Sequence, residues 1–111
     1  MIRNWQDLTS LLKETFSLSG DLLSVLFLIG IQESGEGFRH FTQQEKTDLV
    51  KLGKYTLLSR AGYYKKMEVP GKVPFFIPLP TREPPADQEV LGELLKQECI
   101  RYFNEHLTVD L

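Results

Sequence analysis

Two parts of this sequence contain residue types that could do chemistry, and the first is Cys99 with His106. A cysteine nucleophile needs a base within hydrogen-bond distance. Both residues fall on one predicted C-terminal helix, where seven positions separate them by about 10 Å along the axis. Cys99 also lies close to the apolar face of that helix, where a cysteine usually acts as a small hydrophobic side chain. We therefore predict no catalytic residue here.

The second part is the glycine-containing stretch 34–41, whose residues could bind a metal ion or an anion. Glu33, Glu36 and His40 could approach one another there. The chain has one cysteine and two histidines, however, which is fewer than the four ligands of a structural zinc site. We predict no metal and no cofactor.

Anion binding at the same stretch depends on its glycines, which allow backbone amides to gather into a concave site. No Lys-Ser/Thr pair follows, as a phosphate-binding P-loop would require. We favour a simpler interpretation, in which one glycine ends a helix, another turns the chain, and Phe38 and Phe41 anchor the loop on the core. An anion-binding loop is the alternative. Its residues would be Gly35, Gly37, Arg39 and His40.

The composition indicates one globular domain over residues 1–111. The chain is 41% hydrophobic and 25% charged, which excludes general disorder. A single cysteine is typical of a reducing compartment, and the acids before the first long apolar run argue against a signal peptide. We therefore expect a cytoplasmic protein.

The charge is unevenly distributed although the net charge is only −2. Residues 46–72 contain seven Lys or Arg and two acids, a balance of +5. Residues 83–111 contain seven acids and two basic residues, a balance of −5. This polarity indicates attraction within the fold or between two copies in a homodimer.

The elements that position these residues are mostly helices. Eight of the ten residues in 22–31 are large and apolar, which predicts a central core helix about 15 Å long, too short to span a bilayer. Asn4 and Asp21 are suitable N-caps for the first two helices. Thr42 and Glu45 form a capping box at the start of a third. Val50 and Gly53 lie on the predicted buried face of that helix, and the glycine there indicates close approach of another helix near Gly30.

After the third helix, the spacing of the apolar residues changes to the two-residue period of a strand. Alternation over 73–79, with Pro70-Gly71 as a type II turn before it, predicts a short hairpin. Pro74 and Pro78 place this strand at an edge, because proline cannot donate to a strand ladder. A last helix should run from about Ala86 to 107, with Val90 on its inward face and Glu98 on its outward face. The fold class is mainly α (α+β): a three-helix core, a short β-hairpin and a C-terminal helix, in the order α-α-α-β-β-α.

This order resembles a winged helix, in which the third helix and the hairpin contact nucleic acid. Here those elements, 42–61 and 63–79, contain the basic segment with tyrosines interleaved. The long connection 34–41 argues against the resemblance, because a helix-turn-helix uses about 3–4 residues there. Nucleic-acid binding is therefore an alternative function. Its contacts would be Lys51, Lys54, Arg60, Lys65 and Lys66.

The strings 26–33, 57–59 and 62–64 resemble segments of a small bacterial protein family with no assigned function. That resemblance implies a bacterial cytoplasmic protein and gives no site residue.

We predict a protein-interaction or assembly module without catalytic activity, whose partner is another protein or a second copy. Apolar and aromatic residues beyond one core could form an exposed patch on the proline-containing edge. The predicted patch consists of Tyr63, Tyr64, Phe75, Phe76, Ile77 and Leu79.

Overall fold

A computed structural model describes residues 1–37 and 39–107; Phe38 and 108–111 lie outside the described residues. Within the described part of the chain, the order α-α-α-β-β-α is confirmed. The elements are α1 (Trp5–Phe16), α2 (Leu22–Ser34), α3 (Gln43–Arg60), β1 (Tyr64–Met67), β2 (Phe75–Pro78) and α4 (Gln88–Leu107).

The helix starts follow from local side-chain chemistry. The Asn4 side chain accepts a hydrogen bond from the Asp7 amide at 2.8 Å, and Asp21 accepts one from the Ser24 amide at 2.7 Å. Each bond satisfies a backbone donor that has no partner inside the helix. Both predicted N-caps are therefore confirmed.

The capping box of α3 is also confirmed. The Glu45 amide donates to Thr42 Oγ1 at 3.1 Å, and the Thr42 amide donates to Glu45 Oε1 at 2.9 Å. Two unpaired backbone donors are satisfied reciprocally in this way. This arrangement fixes where α3 begins and hence which of its faces meets α2.

α2 and α3 approach so closely that only glycine fits at two positions. A Cβ atom placed on Gly30 would lie 2.0 Å from the carbonyl oxygen of Leu49, and one on Gly53 would lie 2.2 Å from that of Leu26. The predicted approach of Gly53 to Gly30 is confirmed. We call this contact the glycine seam; it fixes the orientation of α3.

The core lies between α1, α2, α3 and α4. Its largest fully buried side chains include Leu8, Ile29, Leu57 and Tyr102. A second buried cluster of Ile31, Leu49 and Leu52 lies beside it, covered in part by phenylalanines of α2, the loop and the hairpin. α2 contributes to both clusters, as its apolar sequence predicts.

α4 differs in three details from the prediction. The Asp87 side chain accepts hydrogen bonds from the amides of Glu89 and Val90, so the helix begins at Gln88 rather than near Ala86. Val90, predicted to face inward, is 54% exposed. Glu98, predicted to face outward, is buried and pairs with Arg101 at 3.2 Å. The helix thus begins slightly later than predicted, and at positions 90 and 98 the burial is the reverse of the prediction.

Candidate interaction surfaces

The hairpin has two different faces because side chains alternate along each strand. β1 pairs with β2 in antiparallel register, with Lys65 opposite Ile77 and Lys66 opposite Phe76. The turn is closed by a hydrogen bond from the Lys72 amide to the Val69 carbonyl at 3.0 Å. This register places Phe75 and Ile77 on one face and Phe76 on the other.

The inner face of the hairpin packs on α3 through aromatic contacts. The Tyr55 ring lies 5.1 Å from that of Tyr64, edge to face, and 5.9 Å from that of Phe76, stacked. Aromatic pairs at these distances stabilise beyond the area they bury. The hairpin is therefore fixed to the helical core from one side.

The outer face of the hairpin is apolar and accessible. Phe75 is 51% exposed and Ile77 44%. We call these two residues the outer hairpin face. Exposed apolar side chains are common singly on proteins, but neighbours on one strand form a contiguous patch. Such a patch can bury itself against a partner.

The predicted interaction patch is thus divided between environments. Phe75 and Ile77 lie outside, Tyr64 and Phe76 pack on α3, and Leu79 is partly buried. Tyr63 is only 8% exposed and belongs to the core.

Tyr63 is also covered by a residue that lies outside the core. Arg82 donates to its hydroxyl at 3.3 Å, and the guanidinium carbon lies 4.3 Å from its ring centroid. The segment after β2 therefore covers this side chain, which an alternating pattern alone does not reveal.

The five basic residues proposed to contact nucleic acid do not share one environment. Arg60 forms an ion pair with Glu105 of α4, and Lys66 lies 3.5 Å from a Glu33 oxygen and 3.3 Å from one of Glu68. Lys65 lies on the opposite hairpin face from Lys66. Two of the five cations are thus neutralised by acids of the same chain.

The remaining two, Lys51 and Lys54, border a groove between α2, α3 and the start of α4. Its volume is about 650 Å³, and it is open to solvent. We call it the α3 groove. Its apolar residues are Leu22, Leu23, Leu26, Phe27, Val50, Leu91 and Leu95. Its other residues are Ser24, Gln43, Lys46, Thr47, Lys51, Lys54, Gln88 and Gly92.

The loop proposed to bind anions has its own countercharges. Gly35 ends α2 with φ 72°, as predicted, and Gly37 has φ 74°. Arg39 pairs with Glu36 at 3.1 Å and with Glu45 at 2.7 Å. The Arg39 guanidinium and the Thr42 amide hold the pKa of Glu45 at about 2. The loop therefore joins α2 to the cap of α3, and its arginine already has two carboxylate partners.

His40, the remaining polar side chain of that loop, is exposed. Phe41, predicted to anchor the loop, contacts Phe27 edge to face at 5.6 Å between ring centroids. Phe38, the other predicted anchor, lies outside the described residues.

Cys99 and His106 are separated in environment as well as in distance. Cys99 is fully buried, and burial followed by the nearby Glu98 charge raises the pKa of its thiol to about 12. A thiol with this pKa is almost entirely protonated at neutral pH and is a weak nucleophile. His106 stacks on Tyr102 with ring centroids 3.9 Å apart. Over residues 1–37 and 39–107, no three His, Cys, Asp or Glu are grouped closely enough to hold a metal ion.

A partly buried hydrogen bond connects α4 to α2. The Tyr102 hydroxyl donates to Glu33 at 2.7 Å, and Glu33 in turn meets Lys66 of β1. Burial and the neighbouring carboxylate raise the pKa of Tyr102 far above its usual range. Tyr102 therefore stays a neutral donor, and the pair joins three elements structurally.

Sequence reasoning did not find the α3 groove. Val50 was predicted to be buried, and Lys46 and Gly92 were not singled out. Helix spacing could have placed Lys46, Val50 and Lys54 on one face, since they are four residues apart. The depth of the groove depends on where α4 crosses, and that is a tertiary property.

Comparisons of the chain with protein families, curated proteins and solved structures gave no match. Among the described residues, no helix is long and apolar enough to cross a membrane.

Proposed function

We propose that this protein is a protein-interaction module without catalytic activity, and that it binds a protein partner through the outer hairpin face. The observation that carries this proposal is the exposure of Phe75 and Ile77 on one face of β2, while Phe76 between them packs on α3. A few side chains at the well-packed centre of an interface supply most of its binding energy.

The way the hairpin is held also supports binding. Docking a flexible loop costs conformational entropy, and a preorganised surface avoids much of that cost. The Tyr55 ring contacts Tyr64 edge to face and stacks on Phe76, and these contacts fix the hairpin before any partner arrives. The outer hairpin face is therefore a rigid apolar surface of the kind that makes a good anchor.

The setting we propose is the bacterial cytoplasm. Its support is the single cysteine, which is fully buried, and the resemblance of the sequence to a small bacterial family.

Self-association is one form of this proposal. The basic segment 46–72 and the acidic segment 83–111 could meet between two copies. The Arg60–Glu105 ion pair joins the same segments within one chain, so part of the polarity is satisfied internally. Light scattering at high protein concentration and low salt distinguishes a homodimer from a monomer that binds another protein.

The proposal is tested with Phe75→Ser and a matched control, Val90→Ser, which alters an equally exposed apolar residue of α4. Each variant and the wild type are immobilised and exposed to cell extract. We expect a protein, or the chain itself, to be retained by the wild type and by Val90→Ser but not by Phe75→Ser. Equal retention by all three would contradict binding at the outer hairpin face.

Nucleic-acid binding is the competing proposal. Lys51, Lys54 and Lys65 support it, since none of them has an ion pair among the described residues. The connection between α2 and α3, residues 35–42, is longer than a helix-turn-helix allows. Fluorescence anisotropy with mixed DNA and RNA near ~150 mM salt distinguishes nucleic-acid binding from protein binding. Saturable binding weakened by neutralising these lysines would favour the nucleic-acid function.

A further inference from the structure

The α3 groove combines an apolar floor with a one-sided charge. Leu26 and Leu95 on its floor are buried, whereas Phe27 and Val50 are partly exposed to the groove. All the charged residues that line it among the described residues are lysines. In a chain whose net charge is −2, a groove lined by three lysines and no carboxylate attracts an anionic occupant.

These lysines are free to pair with an occupant. Lys46, Lys51 and Lys54 form no ion pair with any described residue. Lys54 contacts the Tyr55 ring at 5.8 Å from the centroid, which leaves its charge available. Arg60, further along the same helix, is by contrast already paired with Glu105. The unpaired cations of α3 are thus concentrated beside the groove.

The spacing of the charges distinguishes between anionic occupants. Lys46 and Lys54 are eight residues apart on α3, which is about 12 Å along the helix axis. A fatty acid carries one carboxylate at one end and would use one of these cations. A helix with acidic residues along one side presents carboxylates at a matching spacing, and its apolar side can cover the floor.

The opposite wall leaves space for a helix backbone. Gly92 is within α4, where glycine is less stable than alanine, and it has no positive φ that would require glycine. A Cβ atom at this position would meet nothing within 4 Å. The packing of the chain itself therefore gives no reason for glycine here, whereas a closely approaching partner would.

We propose that the α3 groove binds an acidic amphipathic helix of a partner protein, with its apolar side on the floor and its carboxylates facing Lys46, Lys51 and Lys54. This site does not depend on the outer hairpin face. Lys51 also lines a shallow pocket with Val73 and Phe76, on the inner side of the hairpin.

The probe is a synthetic acidic helix of about 16 residues, with leucines at helical spacing on one face and glutamates elsewhere. A matched peptide replaces every glutamate by lysine, and dodecanoate represents a fatty acid. Binding to the full chain is measured by fluorescence polarisation at about 150 mM salt, so that non-specific attraction is screened.

Three variants locate the binding. K46E/K54E reverses two charges at the groove, and K65E/K72E reverses two on the hairpin as its matched control. Gly92→Leu adds a side chain at the groove wall, at a position where a Cβ atom meets nothing within 4 Å. Circular dichroism confirms that each variant folds.

We expect saturable binding of the acidic peptide that is about tenfold weaker in K46E/K54E and in Gly92→Leu, and unchanged in K65E/K72E. Equal binding of the basic peptide, full retention by Gly92→Leu, or no saturable binding below about 1 mM would overturn the proposal. Tight binding of dodecanoate that Gly92→Leu abolishes would overturn it in favour of a fatty acid. The Phe75→Ser comparison is independent of all these outcomes.

Discussion

Two neighbouring faces of α3 differ in how closely other parts of the molecule approach them. On one side, the glycine seam brings the backbones of α2 and α3 so near that a single Cβ atom would collide with a carbonyl oxygen. On the neighbouring face, Val50 and the adjacent lysines border an open groove. One helix thus holds the fold together with one face and offers a surface with another.

The comparison shows that a glycine within a helix can be required by close packing or can lie where a Cβ atom would meet no neighbour. Gly53 is required by steric contact with Leu26, whereas Gly92 has free space around its missing side chain. The hairpin repeats the contrast, because Phe76 packs inward and Phe75 points outward. We infer that stability and binding are assigned to different faces of the same elements.

The largest expected change in stability comes from substitutions at the glycine seam. Gly53→Ala should destabilise the protein by about 3 kcal/mol or more, because backbone atoms of α2 must move to admit the new methyl group. Gly30→Ala should behave similarly. Urea denaturation monitored by circular dichroism measures the change. A loss of stability below about 0.5 kcal/mol for both variants would contradict the close backbone contact at the glycine seam.

The next largest change in stability is expected in the hairpin, where its two faces should respond differently. Phe76→Ser should cost about 2 kcal/mol, because it removes a partly buried ring stacked on Tyr55. Phe75→Ser should cost less than about 1 kcal/mol, because its ring is half exposed. Thermal unfolding of the two variants side by side checks the order. Equal losses would mean that the hairpin has no distinct inner and outer face.

On the open side, Gly92→Ala should stabilise the protein by about 0.5–1 kcal/mol, since alanine loses less backbone entropy in a helix and meets no neighbour here. The same substitution is therefore expected to have opposite signs at positions 53 and 92. Urea midpoints of both variants, measured together, test this directly. Destabilisation at 92 would show that the groove wall is closed.

The smallest expected effect on stability is a pH dependence that comes from Glu45 in the capping box at the start of α3. Folding lowers the pKa of Glu45 from 4.5 to about 2 through Arg39 and the Thr42 amide. The stabilisation is therefore present above pH 4.5 and is lost as the pH falls towards 2.

Glu45→Gln isolates this effect, because its amide oxygen can still accept from Thr42 while the charge is removed. We expect the stability difference between wild type and Glu45→Gln to shrink as the pH falls over that range. Glu14→Gln, at an exposed position of α1, is the control. A difference that does not vary with pH would contradict the ion pair with Arg39.

Much of this fold could be predicted because local signals specify it. Asn4, Asp21 and the Thr42–Glu45 box each act within four residues, and Gly35 acts at a single position. The order of the elements and the two hairpin faces follow from periodicity, which is also local. Even the glycine seam was accessible, because Gly53 lies on an apolar helical face.

The interaction surfaces were harder to predict because they depend on tertiary packing. Alternation placed Phe75 and Ile77 together but could not show that Arg82 and the core bury Tyr63. Helical spacing placed Lys51 and Lys54 near one another but not the α4 residues opposite them. Periodicity also did not show that Asp87 caps α4 or that Val90 is exposed.

The most direct measurement is a two-dimensional amide NMR titration of the protein with the acidic amphipathic peptide. We predict that the largest shifts fall on Lys46, Val50 and Gly92 along the α3 groove, while Gly30 and Gly53 in the seam remain unchanged. Shifts centred on the seam, shifts spread evenly over the molecule, or no shifts at saturating peptide would contradict the division of α3 into a closed face and a binding face.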